Sequence, residues 1–452
     1  MRLRKTITTI VATAILLAGW QLFAVIANQP ELIPSLPRLV RTLCEWLVSG
    51  SFYQSVGATI LRGVLGMSIS FVCAIGMAGL FARFEWVYEL FRPLLAIMRS
   101  IPVISFILLA LIFLNPESIP LMIAFLTMFP LLTENLTRGI LDLRPGLSIM
   151  ARQFHIRRSN VLFQIIYPQL KPFLYSGLAS ATGFGWRAII MGEVLSQCAF
   201  GIGSEMKRAQ NFIAVPELLA WTIVAVFISF FFDKGISKVA DITPKISFAN
   251  EDQTIPTPTL SVLDTKDISY QYGIQHFSHS FQKGIIYGIS APSGKGKTTL
   301  LNLIGGILLP TEGEIHPTRH FGIAIIFQQP QLLPYLTAEE NIILPLSSFL
   351  TEEKARRIAQ KHLQEMEMEP FGNRYPKELS YGQQQRIAIA RALAYPSPLL
   401  LMDEPFKGLD EALSHRIIER IREKQMKEER IILFTSHNPD EIRLLADEVI
   451  YL

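Results

Sequence analysis

Long apolar runs recur along the first half of the chain, whereas shorter apolar runs alternate with polar stretches in the second half. The run 6–27 carries no charge over about twenty residues, which is the length that a helix needs to cross the hydrocarbon core of a bilayer. Further apolar runs of this kind lie at 63–82, 93–114, 119–132, 172–195 and 216–232. The pattern predicts an all-α membrane domain of about six transmembrane helices at residues 1–239.

A polar, turn-rich stretch follows at 240–259, with three prolines and no hydrophobic period. This composition predicts a flexible linker. Beyond it, the apolar run 283–289 leads into a loop of small residues and an apolar helix, and the run 399–402 ends in two carboxylates. The sequence therefore predicts a multidomain protein: a polytopic membrane domain, a linker, and an α/β domain at 260–452.

Charge separates the two halves in the same way. Residues 1–239 contain 20 Lys and Arg against 11 Asp and Glu, a net charge of +9, whereas the remaining residues contain 22 and 27, a net charge of −5. The overall charge of +4 thus comes from the apolar half, which favours membrane lipid as a partner and argues against nucleic acid. Cys44, Cys73 and Cys198 have neither disulfide-framework nor zinc-site spacing.

Basic residues also precede the first apolar run, at Arg2, Arg4 and Lys5. Because Lys and Arg flank membrane helices on the cytoplasmic side, they place the N-terminus inside, and six crossings return the chain to the cytosol at Asp233. We therefore expect a multi-pass protein of the inner or plasma membrane with a cytoplasmic α/β domain. A secretory signal peptide is the alternative reading of the first run.

Three charged residues within the predicted spans are candidates for a membrane path: Arg99, Arg187 and Glu193. Charges at that depth are costly, which favours a substrate path or gate. Arg187 and Glu193 are six residues apart and lie on different faces of a helix, so they are poor partners for each other. A structural charge paired with another helix fits the pattern equally well.

The segment 290–299, SAPSGKGKTT, has the strand–loop–helix context of a phosphate-binding loop. Backbone N–H groups and the helix N-terminus would face the phosphates of ATP. Ala291 stands where the pattern has its first glycine, and alanine lacks glycine's freedom at positive φ. Lys297 would reach the β- and γ-phosphates, and Thr298 would hold Mg²⁺. The predicted ATP-binding residues of this loop are Ala291, Pro292, Ser293, Gly294, Lys295, Gly296, Lys297, Thr298 and Thr299.

About a hundred residues downstream, a run typical of a buried strand ends in Asp403 and Glu404. Asp403 suits a water-mediated contact with Mg²⁺. Glu404 suits polarisation of the attacking water, because a carboxylate there can accept its proton or orient it.

Between these motifs lies Leu379-Ser380-Tyr381-Gly382-Gln383, which resembles the LSGGQ signature of ATP-binding cassette (ABC) transporters. Other motifs of that family stand in order at the expected intervals: Phe327-Gln328-Gln329-Pro330 for the Q-loop, Gly408-Leu409-Asp410 for the D-loop and Thr435-Ser436-His437 for the switch histidine. The resemblance covers residues 260–452 and implies a P-loop ATPase fold.

Through this resemblance, Gln328 would sense Mg²⁺ and the attacking water, and His437 would contact the γ-phosphate. Tyr272 would stack on adenine, with Tyr270 as the alternative. The implied catalytic set is Glu404, His437 and Gln328, and the implied Mg²⁺ set is Thr298, Gln328 and Asp403. The signature residues would face ATP bound to a second ATPase domain, and these are Ser380, Tyr381, Gly382 and Gln383. Tyr381 replaces the first glycine of the signature, and this change predicts an altered rate. Because Ser380, Gly382, Glu404 and His437 are all kept, we still expect a working ATPase.

Short motifs in the membrane half are LIPSLP at 32–37, RSIP at 99–102, GFGWR at 183–187 and GIG at 201–203. Together they resemble the permease subunits of taurine, nitrate and aliphatic-sulfonate importers. The family's cytoplasmic coupling loop docks on the ATPase near its Q-loop with an EAA…G…P pattern. When the pattern is aligned on Pro168, its glutamate and glycine positions are Ile149 and His155 here. The loop therefore keeps its position and length but not the residue types of the pattern.

The resemblance implies a fused permease–ATPase half-transporter that uses ATP and Mg²⁺ to import a small solute, such as a sulfonate, taurine, a nitrate-like anion or a pyrimidine precursor. Its implied partners are a second copy or a related permease–ATPase pair, and an extracytoplasmic solute-binding protein. Domain order alone favours an ABC exporter, and a membrane-anchored ATPase that does mechanical or regulatory work is a further alternative.

Overall fold

The computed structural model describes residues 2–240, 244–253, 260–271, 273–292, 294–317 and 322–452. It divides into two units: the first contains Met1–Leu143 and Gln169–Thr243, and the second contains Arg144–Pro168 and Pro244–Leu452. The segment Arg144–Pro168 lies inside the membrane half of the sequence but belongs to the second unit. The second unit is therefore built from two separate stretches of chain.

Residues 2–240 are almost entirely helical. A 3₁₀ turn at Pro116–Ser118 and a π-helix at Val161–Ile166 accompany the α-helices, which in chain order are α1 (Arg2–Ala27), α2 (Leu36–Trp46), α3 (Gly50–Arg83), α4 (Glu85–Ser100), α5 (Val103–Phe113), α6 (Ile119–Leu141), α7 (Pro145–Gln153), α8 (Arg158–Asn160), α9 (Tyr167–Ser196), α10 (Ile202–Asn211) and α11 (Val215–Ala240). The short α7, the α8 turn and the π-helix lie in the second unit, and the others lie chiefly in the first.

Each of the six predicted spans falls on a helix or a helix pair, which agrees with the predicted helical membrane domain. By length and hydropathy, three helices among the described residues can cross a membrane, at Gly50–Arg83, Pro116–Leu141 and Val215–Ile236. The pair α4–α5 would make a fourth. The count of six therefore stays a prediction.

The third predicted span is wrong as a single helix. The chain bends by 94° between α4 and α5, at Ile101 and Pro102. The physical reason is the proline: its ring disfavours the helical conformation of the preceding residue, and Ile101 accordingly has an extended ψ of 131°.

In the first unit, α3 and α6 pack through small residues. The buried positions of α3 recur every three or four residues, at Ser55, Thr59, Gly63, Gly66, Ser70, Ala74 and Ala78. A Cβ on Gly66 would lie 2.6 Å from the Cβ of Ala124 on α6, so the two backbones are as close as a glycine permits. This contact face also fixes where α3 presents Thr59 and Arg62.

The second unit contains two sheets. The strands are β1 (Val262–Tyr270), β2 (Ile274–Gln282), β3 (Ile286–Ser290), β4 (Glu312–His316), β5 (Ala324–Ile326), β6 (Leu399–Asp403), β7 (Ile431–Thr435) and β8 (Glu448–Tyr451). Three form an antiparallel sheet in the order β2-β1-β4, and five form a parallel sheet in the order β5-β6-β7-β3-β8. The interior strands β6 and β7 are buried at every position, as their unbroken apolar runs predict.

Helices surround the parallel sheet: α12 (Lys297–Ile304), α13 (Ala338–Leu346), α14 (Glu352–Glu365), α15 (Tyr381–Ala394), α16 (Glu411–Glu428) and α17 (Pro439–Leu445). The α/β layout agrees with the predicted fold class. The hydrophobic core of this unit also includes apolar residues of the Arg144–Pro168 segment, namely Leu147, Met150, Ala151, Phe154, Ile156 and Ile165.

Part of the predicted flexible linker is bonded to the second unit. Within residues 244–253, the N–H groups of Ala249 and Gln253 donate to the carbonyls of Ser347 and Phe349 at 3.0 and 2.8 Å. Residues 241–243 and 254–259 lie outside the described residues.

Candidate active site

The predicted site residues of the second unit meet at one edge of the parallel sheet. The phosphate-binding loop follows β3, Gln328 lies two residues after β5, Asp403 ends β6, and Thr435 ends β7. Neighbouring parallel strands place their carboxyl ends at the same edge, so residues far apart in sequence come together there.

Asp403 is held by two threonine hydroxyls. Thr298 Oγ1 donates to Asp403 Oδ2 at 2.9 Å, and Thr435 Oγ1 donates to Asp403 Oδ1 at 2.8 Å. Burial raises the pKa of Asp403, and these two hydrogen bonds oppose that effect. The pair Thr298–Asp403 joins the start of α12 to the end of β6.

Glu404 is the centre of a second cluster. Its Oε1 accepts from Gln328 Nε2 at 3.2 Å and lies 3.1 Å from His437 Nε2, while its Oε2 lies 3.0 Å from Lys407 Nζ. Burial raises the pKa of Glu404, but the hydrogen bonds from Lys407 and Gln328 outweigh it and lower the pKa below its ordinary value. The predicted catalytic residues Glu404, His437 and Gln328 are therefore brought together.

The backbone also takes part in placing Glu404. Its φ is +47°, in the left-handed region that a non-glycine residue rarely adopts, and its N–H donates to Thr435 Oγ1 at 3.0 Å. Thr435 thus bonds both acidic residues and fixes their relative orientation. Strain of this kind persists where surrounding contacts over-determine the conformation, as they do here.

The phosphate-binding loop places its positive φ angles at Gly294 (+80°) and Gly296 (+89°). A Cβ on Gly296 would lie 2.6 Å from the carbonyl oxygen of Gly273. Both the positive φ and this close approach therefore require glycine at position 296. Ala291 has no positive φ, and its carbonyl accepts from Lys297 Nζ at 2.6 Å, so alanine at that position fits the turn. Of the predicted ATP-binding residues, Ser293 and Tyr272 lie outside the described residues.

The signature segment begins α15. Ser380 is its N-cap in a capping box with Gln383: the Gln383 N–H donates to Ser380 Oγ at 3.3 Å, and the Ser380 N–H donates to Gln383 Oε1 at 2.8 Å. A Cβ on Gly382 would lie 2.6 Å from the carbonyl oxygen of Gly408, so the D-loop approaches the signature closely. Asp410 caps α16 by accepting from the Leu413 N–H at 2.9 Å.

Tyr381, the departure from the signature pattern, bonds to the Q-loop of its own chain. Its hydroxyl donates to the carbonyl of Gln328 at 2.8 Å, and its ring would meet a Cβ on Gly408 at 2.8 Å. The side chain also lines a cavity of about 410 Å³ with Gln328, Gln329, Pro330, Gln384 and Lys407. The large ring therefore joins the signature, Q-loop and D-loop.

Comparison with known proteins agrees with this geometry. Residues 274–407 match the ABC transporter family, and residues 68–233 match the binding-protein-dependent transport system inner membrane component. An uncharacterized ABC transporter ATP-binding protein of Methanocaldococcus jannaschii is 34% identical over 201 residues, which are 40% of this chain and 85% of that protein. The chain belongs to the ABC transporter family. It joins a permease and an ATPase, and the ATPase hydrolyses ATP to drive transport.

Other relatives of the ABC ATPase domain carry substrate names. A thiamine import ATP-binding protein of Yersinia pseudotuberculosis is 34% identical over 205 residues, 42% of this chain and 86% of that protein. A glucose import ATP-binding protein of Saccharolobus solfataricus is 35% identical over 185 residues, 38% of this chain, and the chain spans only 52% of that protein. A dimeric ATP-binding cassette solved with ADP and Pi is 32% identical, with a TM-score of 0.40 over 42% of this chain and 94% of that one.

The donor set of the ABC ATPase site fits Mg²⁺. Hard divalent cations take oxygen ligands, and the hydroxyl of Thr298 and the carboxylate of Asp403 adjoin each other at the end of β6. A neighbouring cation would stabilise the ionised form of the buried Asp403 carboxylate, because burial otherwise penalises its charge. These residues fit the metal.

The three charged candidates of the membrane domain are placed differently. Glu193 is fully buried and accepts from Arg62 Nη1 at 2.8 Å, from the Gly203 N–H at 2.9 Å and from Thr59 Oγ1 at 3.0 Å. Arg99 forms an ion pair with Glu134, and Arg187 is exposed. The contacts of Glu193 therefore connect α9 to α3 and α10.

The sequence analysis did not predict the contacts that two residues make in the ATPase site. Lys407 stands three residues after Glu404, a spacing that could have suggested the ion pair. Thr435 was recognised only as part of the switch-histidine motif, and its bonds to Asp403 and Glu404 depend on the adjacency of β6 and β7. That adjacency is a tertiary property with no local signal.

Proposed function

We propose that this chain is one half of an ATP-driven importer of a small solute. The observation that carries the proposal is the Glu404 cluster beside the Thr298–Asp403 pair, in one chain with an inner membrane transport component. The permease match is to a binding-protein-dependent system, which favours import over export. The thiamine and glucose relatives bear import names as well.

Glu404 is proposed to orient the attacking water and to accept its proton. Its lowered pKa keeps the carboxylate ionised at neutral pH, which is the state a proton acceptor needs. Gln328 would hold the same water, and His437 would stabilise the charge that develops on the γ-phosphate. Water then attacks the γ-phosphorus, the bond to the β-phosphate oxygen breaks, and ADP and phosphate leave.

ATP is proposed to bind along the loop from Ala291 to Thr299, with adenine stacked on Tyr272. Mg²⁺ would be held by Thr298, Asp403 and Gln328, and it would neutralise phosphate charge. Lys297 lies 3.5 Å from His437 Nδ1, so the loop lysine and the switch histidine face the same space, as two γ-phosphate contacts should.

The second half of each site is proposed to come from a partner ATPase domain, either in a second copy of this chain or in a related permease–ATPase pair. Ser380, Tyr381, Gly382 and Gln383 would face the ATP of the partner, with Asp410 beside them. The exposed side chain of Tyr381, at 41%, is available for such an interface.

The segment Arg144–Pro168 is proposed to transmit ATPase movement to the membrane helices. Gln153 Nε2 donates to the Gly305 carbonyl at 3.0 Å, and the Ile323 N–H donates to the Gln153 carbonyl at 2.9 Å. A Cβ on Gly146 would lie 2.6 Å from Gln331 Oε1, directly after the Q-loop. The segment therefore contacts the part of the ATPase that senses nucleotide.

Arg391 strengthens this connection from the signature helix α15. Its guanidinium is buried, donates to the Gln331 carbonyl at 2.6 Å and stacks on the Phe154 ring at 5.5 Å. Burial lowers the pKa of Arg391 to about 10, which still leaves it charged at neutral pH. One side chain thus joins the signature helix, the segment after the Q-loop and the Arg144–Pro168 segment.

We propose the inner or plasma membrane as the location, with the ATPase domain cytoplasmic. An extracytoplasmic solute-binding protein would deliver the solute, because the permease match is to a system that uses one. Sulfonates, taurine, nitrate-like anions and pyrimidine precursors are the solutes suggested by the permease resemblance. Thiamine, glucose and Fe(3+) are added by the names of ATPase relatives.

The test is ATP hydrolysis by the purified chain in lipid vesicles, with each loaded candidate binding protein added in turn. Import predicts that one loaded binding protein stimulates hydrolysis and that its solute accumulates on the ATPase side. Stimulation by lipophilic compounds alone would instead support the exporter alternative. Hydrolysis without dependence on any solute would support mechanical or regulatory work.

A further inference from the structure

Residues 244–253, here called the docked linker, contact the ATPase domain at several points. Besides the two backbone bonds to Ser347 and Phe349, Asp252 Oδ1 accepts from the N–H and the hydroxyl of Thr351 at 2.9 and 3.0 Å. Lys354 Nζ lies 3.5 Å from the same carboxylate. The linker is therefore attached to α14 and to the turn between α13 and α14.

The side chains of the docked linker alternate as they do in a strand. Ile246 and Phe248 pack against the hydrophobic core of the ATPase domain, whereas Lys245 and Ser247 are exposed. The same core contains Leu147 and Phe154 of the Arg144–Pro168 segment. A random tether has no reason to show this alternation.

Asn160 of the Arg144–Pro168 segment bonds to both the docked linker and the ATPase domain. It is 1% exposed, and its Nδ2 donates at 2.8 Å both to the Ser247 carbonyl of the docked linker and to Ser347 Oγ of the ATPase domain. Its Oδ1 accepts from the Ser247 N–H at 2.8 Å. A buried amide with this pattern is satisfied only when linker, ATPase and Arg144–Pro168 segment are assembled together.

Two further residues of the Arg144–Pro168 segment contact the docked linker. The buried Gln164 donates from Nε2 to the Pro244 carbonyl at 3.0 Å. Arg157 donates from Nη1 to the Phe248 carbonyl at 3.3 Å and from its N–H to Ser348 Oγ at 3.0 Å. The linker is thus held by polar contacts at several points along its length.

We propose that the docked linker forms part of the surface that binds the Arg144–Pro168 segment, and that it clamps this segment onto the ATPase domain. It supplies contacts at a loop whose glutamate and glycine positions carry Ile149 and His155. A flexible tether would only raise the local concentration of the two partners. A clamp also contributes specific contacts, and these depend on linker sequence at constant length.

The test uses the full chain in lipid nanodiscs and measures backbone hydrogen exchange by mass spectrometry. In one variant, residues 245–252 are replaced by a Gly/Ser stretch of the same length. In a second variant, Asn160→Ala removes the buried amide, and Asn250→Ala at an exposed linker position is its matched control. Exchange in Arg144–Pro168 is expected to become about tenfold faster in both test variants, which corresponds to the loss of roughly one or two hydrogen bonds.

Unchanged exchange of the Arg144–Pro168 segment in the Gly/Ser variant would overturn the proposal and leave the linker a tether. Because that variant retains Asn160, it decides the matter even when Asn160→Ala fails to fold. Asn250→Ala is expected to behave as the native chain. Hydrogen exchange does not require transport, so this result stays interpretable even if the import proposal fails. Only one further expectation rests on the proposed function: the Gly/Ser variant should lose solute-stimulated hydrolysis.

Discussion

Glu193 in the membrane domain and Glu404 in the ATPase domain are both carboxylates with several donors, yet their surroundings differ. Glu193 is fully buried, and its donors include a backbone N–H, a threonine hydroxyl and an arginine whose side chain is 12% exposed. Glu404 is 15% exposed, and two of its partners, His437 and Lys407, are half exposed. One carboxylate is enclosed, and the other is held by side chains that can exchange for water or nucleotide.

We interpret this difference as the one between a charge that supports the fold and the charge that is proposed to perform chemistry. A catalytic carboxylate must release its partners to receive a water, so exposed and mobile donors suit it. A structural carboxylate loses stability when any partner leaves, because the remaining charge is buried. The number of hydrogen bonds does not distinguish the two roles, whereas the exposure of the donors does.

The largest effect is expected from Glu404→Gln. Removing the proton acceptor should lower kcat for ATP hydrolysis by about 10²–10⁴-fold while nucleotide binding is retained. Steady-state hydrolysis and binding of a fluorescent ATP analogue measure the two quantities. Glu419→Gln, on an exposed position of α16, is the matched control, and a variant at position 404 with native turnover would remove Glu404 from the mechanism.

Glu193→Gln should act on stability and leave the chemistry of the ATPase unchanged. It removes the buried partner of Arg62, which keeps its ion pair with the half-exposed Glu117, so the expected cost lies below the roughly 3–5 kcal/mol that a fully uncompensated buried charge typically costs. Thermal unfolding in detergent measures the loss of stability, and Glu89→Gln at an exposed position of α4 is the control. Adding Arg62→Gln to Glu193→Gln should restore part of the stability. Native stability combined with abolished transport would make Glu193 part of a solute path instead.

Tyr381→Phe is expected to have a smaller effect on rate. The loss of one hydrogen bond to the Gln328 carbonyl frees the Q-loop from the signature helix, and basal turnover should rise by about two- to tenfold. Hydrolysis without solute measures this change. Tyr375→Phe, on the partly exposed turn before the signature, serves as the control, and a fall in turnover at position 381 would show that the bond supports catalysis.

The smallest effect at neutral pH is expected from Lys407→Met. Lys407 lowers the pKa of Glu404, so its removal raises that pKa, and the acid limb of the kcat profile should move to higher pH. Gln328 and His437 still face the carboxylate in this variant. The kcat–pH profile is compared with that of Lys427→Met at an exposed position of α16, and coincident acid limbs would contradict the assigned pKa effect.

Local patterns were enough to predict the helical membrane domain, the α/β fold of the second half and the carboxylates Asp403 and Glu404 at the end of a buried strand. The position of Gln328 beside Glu404 was implied only by the resemblance to ABC transporters. The role of Glu193 could not be chosen from sequence, because its partners Thr59 and Arg62 are more than a hundred residues away.

The prediction of one helix over 93–114 is wrong because the hydropathy of the segment does not show the effect of Pro102 on the residue before it. The prediction of a flexible linker rests on the polar composition of 240–259, which does not show that Ile246 and Phe248 alternate with polar residues. In both cases the average property of a segment concealed the effect of one or two residues.

The interrupted sequence of the ATPase core has a consequence for synthesis on the ribosome. Leu147, Met150 and Phe154 are translated about a hundred residues before β1, yet their apolar side chains are buried only in a core that β1 and later elements complete. During that interval the nascent chain carries an uncovered hydrophobic patch, which is a typical target of chaperones and a risk for aggregation. A truncated chain that ends before residue 260 would keep the patch exposed permanently.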